Sequence, residues 1–293
     1  MPWFATCIDD LFDLRLSTGT VQACWERTAQ AVAEPMREIE RTLQQAPSAH
    51  FDETGWRQWG KRCWLWVVST VACTWFMVHP RRGAEVLQKL FPNGFPGTVH
   101  SDRWVVCTTL FDADQRQLCW SHLGRDLQAI IDGQGPAATR AATLREGEAA
   151  MFHAWHDFKA GRCNREALQA ATAIFREQLR AFCEEGVAQK TDDLLRKLGK
   201  GLLPLWPAVF RFLDIDGVEP TNNHAEQVLR QGVILRKLSQ GTRSDRGSLF
   251  LSRLLSTATT CRQQGLDVLD YVTEALTCAG KGIPPPPLLR SGD

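Results

Sequence analysis

The chain has no CxxC pair among its ten cysteines, no apolar run long enough to cross a membrane, and almost no net charge. Each absence removes a class of protein. Ten scattered cysteines in 293 residues argue against a disulfide scaffold and fit reduced, mostly buried thiols in a cytoplasmic protein. No secretory leader is read at the N-terminus. The longest apolar stretch, Cys63 to Val78, is broken by Ser69, Thr70 and Thr74, so no membrane partner is expected. A net charge of +1 carries no global signal for nucleic acid. A GxxxxGK[ST] phosphate loop, a GxSxG elbow and an internal repeat are all absent, which argues against nucleotide hydrolysis and serine hydrolase chemistry.

What remains is an ordinary globular composition, 44% hydrophobic and 23% charged, with a clear change of pattern along the chain. Residues 1–48 read as a helical segment; IDDLFDL, a turn and STGTVQACWERT suggest either a DNA-reading helix pair or simple packing. From Ala49 the period changes to that of strands. AHFDETGW, KRCWLWVVST and CTWFMVHP predict three strands, with Gly60 in the first turn, followed by a short helix over 83–91. GTVHSDRW predicts a fourth strand with Asp102 near its end, and RQLCWSH a fifth ending near His122. Residues 123–213 are helical throughout, and NNHAEQVLRQGVILRK, carrying Glu226, is a further helix.

Three strands, a helix and two more strands is the order of an α/β, ribonuclease H-like fold: a mixed five-stranded sheet with flanking helices. On this reading 49–122 and 217–264 form the core. Residues 123–216 are an all-helical insertion between strand 5 and the Glu226 helix. A C-terminal helix occupies 265–279, and the Pro-rich tail 280–293 is expected to be disordered.

Asp52 in FDETGW, Asp102 in HSDRW and Glu226 in TNNHAEQ are the chemistry-bearing residues. Two carboxylates about 4 Å apart repel by roughly 4 kcal/mol at an effective dielectric near 20. Gathering three requires water, protonation or bound cations, and divalent metal is the reading adopted. Mg²⁺ takes oxygen ligands and keeps several waters, so two ions spaced for phosphodiester chemistry need only a few carboxylates. Asn222 and Arg230 lie four residues either side of Glu226, on its helix face. Asn222 is either an N-cap or a support for the metal site; Arg230 either meets a phosphate or pairs with Glu226. Glu53 falls on the opposite face of the strand, solvated or supporting backbone.

From Asn222 to Arg262 seven cations stand against two anions, a surplus of five. Arg230, Arg236, Lys237, Arg243 and Arg246 are accordingly the candidate DNA contacts, against a merely solvated helix face. Cys119-x-x-His122 is either half of a zinc site, whose other half is missing, or a buried Cys beside a structural or substrate-contacting His.

In order and spacing, FDETGW, GKRCWLWV, HPRRGAEVL, SDRW, QLCWSHLGRD, TNNHAEQVLR and SDRGS resemble the transposases of insertion sequence 66, over about residues 11–276. The resemblance implies a DDE triad on Asp52, Asp102 and Glu226. It also implies Mg²⁺- or Mn²⁺-dependent cleavage of double-stranded DNA at transposon ends, and strand transfer into target DNA. It makes Cys119 and His122 auxiliary site residues, and it suggests a homo-oligomer on DNA, accessory proteins of the same element and a place in the bacterial nucleoid. Gln227 replaces a common Arg and Trp104 a common Tyr. Family members carry a longer N-terminal region with a zinc-binding, DNA-binding portion, so Met1 is expected to begin just upstream of the catalytic core. The rival expectations are a catalytically silent or truncated DNA-binding remnant and a nuclease of this fold without strand transfer.

Overall fold

In a computed structural model, residues 2–103, 105–189 and 192–290 are described. The chain divides into two compact units, residues 1–96 with 224–293, and residues 97–223.

The first unit opens with helices α1 (Pro2–Phe12), α2 (Thr18–Ala31) and α3 (Ala33–Gln44). Ser17 caps α2 by accepting a hydrogen bond from the Thr20 N–H. α2 packs on a later helix of the same unit; Trp25 stacks on Phe250 at 5.1 Å between ring centres. Strands β1 (Ser48–Gln58), β2 (Lys61–Ser69) and β3 (Thr74–His79) then form an antiparallel meander. β1 and β2 turn through Trp59 and Gly60, both with positive φ, as a two-residue hairpin loop demands. The second turn, which no Asn-Gly marks, is held by Thr70 Oγ1. That atom accepts from the N–H groups of Ala72 and Cys73 and sets Ser69 opposite Thr74.

After α4 (Glu85–Leu90) the chain passes to the second unit. There β4 (Thr98–Ser101) pairs in parallel with β5 (Arg116–Leu118), joined through α5 (Val105–Leu110). Helices α6 (Trp120–Asp132), α7 (Ala138–Lys159), α8 (Arg165–Gln189), α9 (Asp193–Leu202) and α10 (Trp206–Val209) complete this unit. α11 (Asn223–Ser239) returns the chain to the first unit, where α12 (Asp245–Gln263) and α13 (Val268–Lys281) follow. Three antiparallel strands, two parallel strands and flanking helices make the chain a mixed, five-stranded α/β protein.

Both cores follow from side-chain periodicity. One face of the meander, Trp56, Cys63, Leu65, Val67, Phe76 and Val78, is covered by Ala225 and Leu229 of α11 and Leu255 of α12. α12 also closes the open edge of β3. Ser252, Ser256 and Thr260, four residues apart, accept from the N–H groups of Val78, Phe76 and Thr74 at 3.0, 2.8 and 3.1 Å. In the second unit α8 buries Leu168, Phe175, Leu179 and Phe182 against Trp120, Phe210 and Phe212. Asn164 caps that helix through the Ala167 N–H, and Thr172 rather than Ala171 completes its inner stripe.

Two expectations need correction. The fifth strand stops at Leu118, because Cys119 turns the chain into α6; His122 is on that helix and not at a strand end. Residues 105–110, for which the sequence pattern predicts no element, form α5. The tail, as far as Arg290, is packed. Leu288 is fully buried, the N–H groups of Leu288 and Leu289 donate to the Glu38 carboxylate at 3.0 Å, and Tyr271 donates to the Pro286 carbonyl. A proline-rich segment has no internal hydrogen bonds to offer, and here Glu38 and Tyr271 supply partners instead. Residues 291–293 and Trp104 lie outside the described residues.

Candidate functional site

Asp52 lies in the middle of β1, opposite Val67. Alternation puts Asp52 on the same face as Thr54 and Trp56, the face that α11 covers. The helix is tied to β1 at two places. The His224 ring lies 5.3 Å from that of His50, and Arg236 Nη1 donates to Thr54 Oγ1 at 3.1 Å and to the Gly55 carbonyl at 2.5 Å. Between them Gly232 lets the helix close on the strands; a Cβ there would sit 2.3 Å from Leu65 Cδ2. Asp52 on the strand and Glu226 on the helix both fall between these ties. Glu226 is in the first turn of α11, where the helix dipole favours a negative charge, and its Oε1 is buried. Asp52 is half-buried, and its Oδ1 accepts from the Glu53 N–H at 2.8 Å. Glu53 is on the other face, as expected, but it is not solvated. It pairs with Arg82, whose guanidinium stacks over Trp64 at 4.6 Å.

In the second unit Asp102 directly follows β4, so it is held at the carboxyl end of the parallel pair. Arg116, wholly buried on β5, supports it. Its Nη2 donates to the Asp102 carbonyl at 3.0 Å and its Nη1 to Thr108 Oγ1 at 2.9 Å. Burial pushes the Arg116 pKa below its ordinary value, and the nearby Cys107 and Asp102 charges pull it back. Arg116 was invisible as a site residue in the sequence, where RQL reads only as part of a strand.

Cys119 is at the same end. It is buried, its N–H donates to the Ser101 carbonyl at 3.0 Å, and its sulfur accepts the Asn222 N–H at 3.1 Å. Asn222, itself buried, occupies the N-cap position of α11. His122 faces Asp126, whose carboxyl is raised by burial against the pull of Arg103, His122 and Arg125. Asp102, Cys119, His122 and Asn222 thus belong to the second unit, and Asp52 and Glu226 to the first.

The candidate cations separate into two kinds. Arg236, Lys237 and Arg243 line a groove of about 920 Å³ in the first unit, together with Arg57 and Arg62, which sequence reasoning passed over because they lie in the hairpin. Among the described residues none of these five is in an ion pair. Arg230 is exposed on α11 and does not pair with Glu226, whereas Arg246 is engaged with Glu26 at 2.8 Å; the Gln22 hydrogen bond first, and then Arg246, holds the Glu26 pKa down. Carboxylates and imidazole suit divalent metal, and unpaired guanidinium groups suit phosphate. No described helix is long and apolar enough to cross a membrane.

The chain belongs to the family described as Transposase IS66 family, whose model matches residues 4–249. It is similar to the uncharacterized proteins y4jO and y4qI of Sinorhizobium fredii (strain NBRC 101917 / NGR234). With y4jO it is 28% identical over 177 residues, covering 60% of this chain and 52% of that protein. With y4qI the identity is 26% over 226 residues, covering 69% and 39%. The chain therefore spans about half or less of the length of these curated relatives. No solved structure matches.

Proposed function

We propose that the chain is the catalytic part of a DDE transposase, with Asp52, Asp102 and Glu226 as the triad in a ribonuclease H-like core. The family match over residues 4–249 carries this reading. The donor chemistry fits it, since three carboxylates are a natural set for Mg²⁺ or Mn²⁺. Two such ions, when bound, activate the attacking oxygen and stabilise the leaving one. Asp52 and Asp102 would hold both ions, and Glu226 would complete the second position. Asn222 would fix the start of the Glu226 helix, and Arg116 would fix Asp102. The unpaired cations after Glu226 would neutralise DNA phosphates, and a second copy of the chain would complete the assembly on DNA.

In cleavage, water attacks a phosphorus at the transposon end and the P–O3′ bond breaks, leaving a free 3′ hydroxyl. In joining, that hydroxyl attacks a target phosphodiester and displaces the target's own 3′ oxygen. One proton is lost by the attacking oxygen and one is gained by the leaving oxygen. Phosphodiesters are conserved in the second step, so no nucleotide triphosphate is needed.

The test is incubation of the protein with labelled duplexes carrying the element's ends, with Mg²⁺, Mn²⁺ or EDTA. Metal-dependent nicks followed by joined products support the proposal. Nicks without joining favour a nuclease of the same fold. DNA binding without turnover, unchanged by EDTA, favours a silent DNA-binding protein.

A further inference from the structure

The tip of the β1–β2 hairpin carries a residue that folding alone does not favour. Trp59 has φ 53° beside Gly60 at φ 71°. Asparagine, aspartate and glycine adopt such backbone readily, and a tryptophan does so only against steric resistance. Its side chain is also among the most exposed large apolar groups in the chain, at 69%. The tip is nevertheless rigidly held. The Trp59 N–H donates to the Thr242 carbonyl and the Thr242 N–H to the Arg57 carbonyl, both at 2.9 Å. Gln58 is fastened by Asp245 at 2.5 Å and Ser248 at 2.7 Å.

Two cavities adjoin the hairpin. One is the groove of cations outside any ion pair, including Arg57, Arg236 and Arg243, which reaches the tip at Gly60. The other is a recess of about 720 Å³ lined by Trp59 with Cys63, Met77, Pro80 and Leu249, and by the polar Gln58, Lys61 and Asp245. Arg62 borders both cavities. A cationic channel near an exposed aromatic residue on a firmly held backbone suits one chemical object, a nucleotide whose base is not paired. Duplex DNA would satisfy the cations but keep its base faces stacked away from Trp59. An apolar peptide would cover the ring and leave the guanidinium groups without anions.

We propose that this hairpin grips a DNA strand at an unpaired nucleotide, with the phosphodiester backbone in the cationic groove and the base stacked on Trp59 over the recess. The proposal rests on the DNA-handling reading above and adds to it a preference for an opened or frayed base. It lies wholly within the first unit and uses none of the triad residues.

The experiment compares two short fluorescent duplexes, one fully paired and one carrying an unpaired 2-aminopurine at its end. Wild-type protein is expected to bind the unpaired probe about 10-fold more tightly and to quench its 2-aminopurine. Trp59→Ala and Trp59→Asn should lose that preference and the quenching while binding the paired duplex as before, and Trp59→Phe should retain most of both. Trp59→Asn suits the turn better, so its Tm should equal or exceed that of wild type, which separates lost stacking from lost folding. Arg57→Ala with Arg243→Ala should weaken both probes. Equal wild-type affinity for the two probes, or wild-type quenching in Trp59→Ala, would overturn the stacking proposal and leave DNA handling standing. Wild-type protein that binds neither probe would overturn both.

Discussion

Arg116 is charged, fully buried and one strand away from the backbone of Asp102. A guanidinium in that position is retained only because its hydrogen bonds replace those it made to water. Arg116→Leu should therefore cost about 3 kcal/mol, since the Asp102 carbonyl and Thr108 hydroxyl lose a charged donor inside the protein. Urea unfolding would measure this, and Arg116→Lys should recover only part of it. Glu148 is a second buried charge, paired with Arg145, and burial raises its carboxyl above the ordinary range. A raised carboxyl binds its proton more tightly in the folded state. Its contribution to stability therefore falls as pH rises from the ordinary glutamate range through the raised value. Glu148→Gln should remove that slope, so the stability difference from wild type should change with pH inside the window and level off above it. The three acids of the proposed triad were legible because each stands in a recognisable local setting. Arg116, Arg57 and Trp59 were not, because only tertiary neighbours make one of them buried and the others part of a groove or an exposed tip.

Among the elements, β3 shows how a helix protects a strand edge. Its outward N–H groups meet a hydroxyl stripe on α12, and Ser256 is fully buried there. Ser256→Ala should cost about 1–3 kcal/mol by leaving the Phe76 N–H without its acceptor. Hydrogen exchange at Phe76 should accelerate, and exchange on β1 should change little. The meander and its first turn could be read directly from alternation and Gly60, since those are local signals. The short α4 and β5 were placed too, with β5 carried past Leu118, whereas the six residues of α5 are too few to show a period. The proline-rich tail failed for a different reason: its order comes from Glu38 and Tyr271, far away in sequence.

At the scale of the molecule, family membership and a mixed α/β architecture agree with the order of elements read from the sequence. The proposed chemistry requires more, namely that a carboxylate of the 97–223 unit act with two from the other unit. Nicking rates of Asp52→Asn, Asp102→Asn and Glu226→Gln on duplexes bearing the element's ends measure that requirement directly. The account predicts that each substitution lowers the metal-dependent rate by about 100-fold or more while DNA affinity stays close to wild type. Asp102→Asn protein that nicks at the wild-type rate would contradict it.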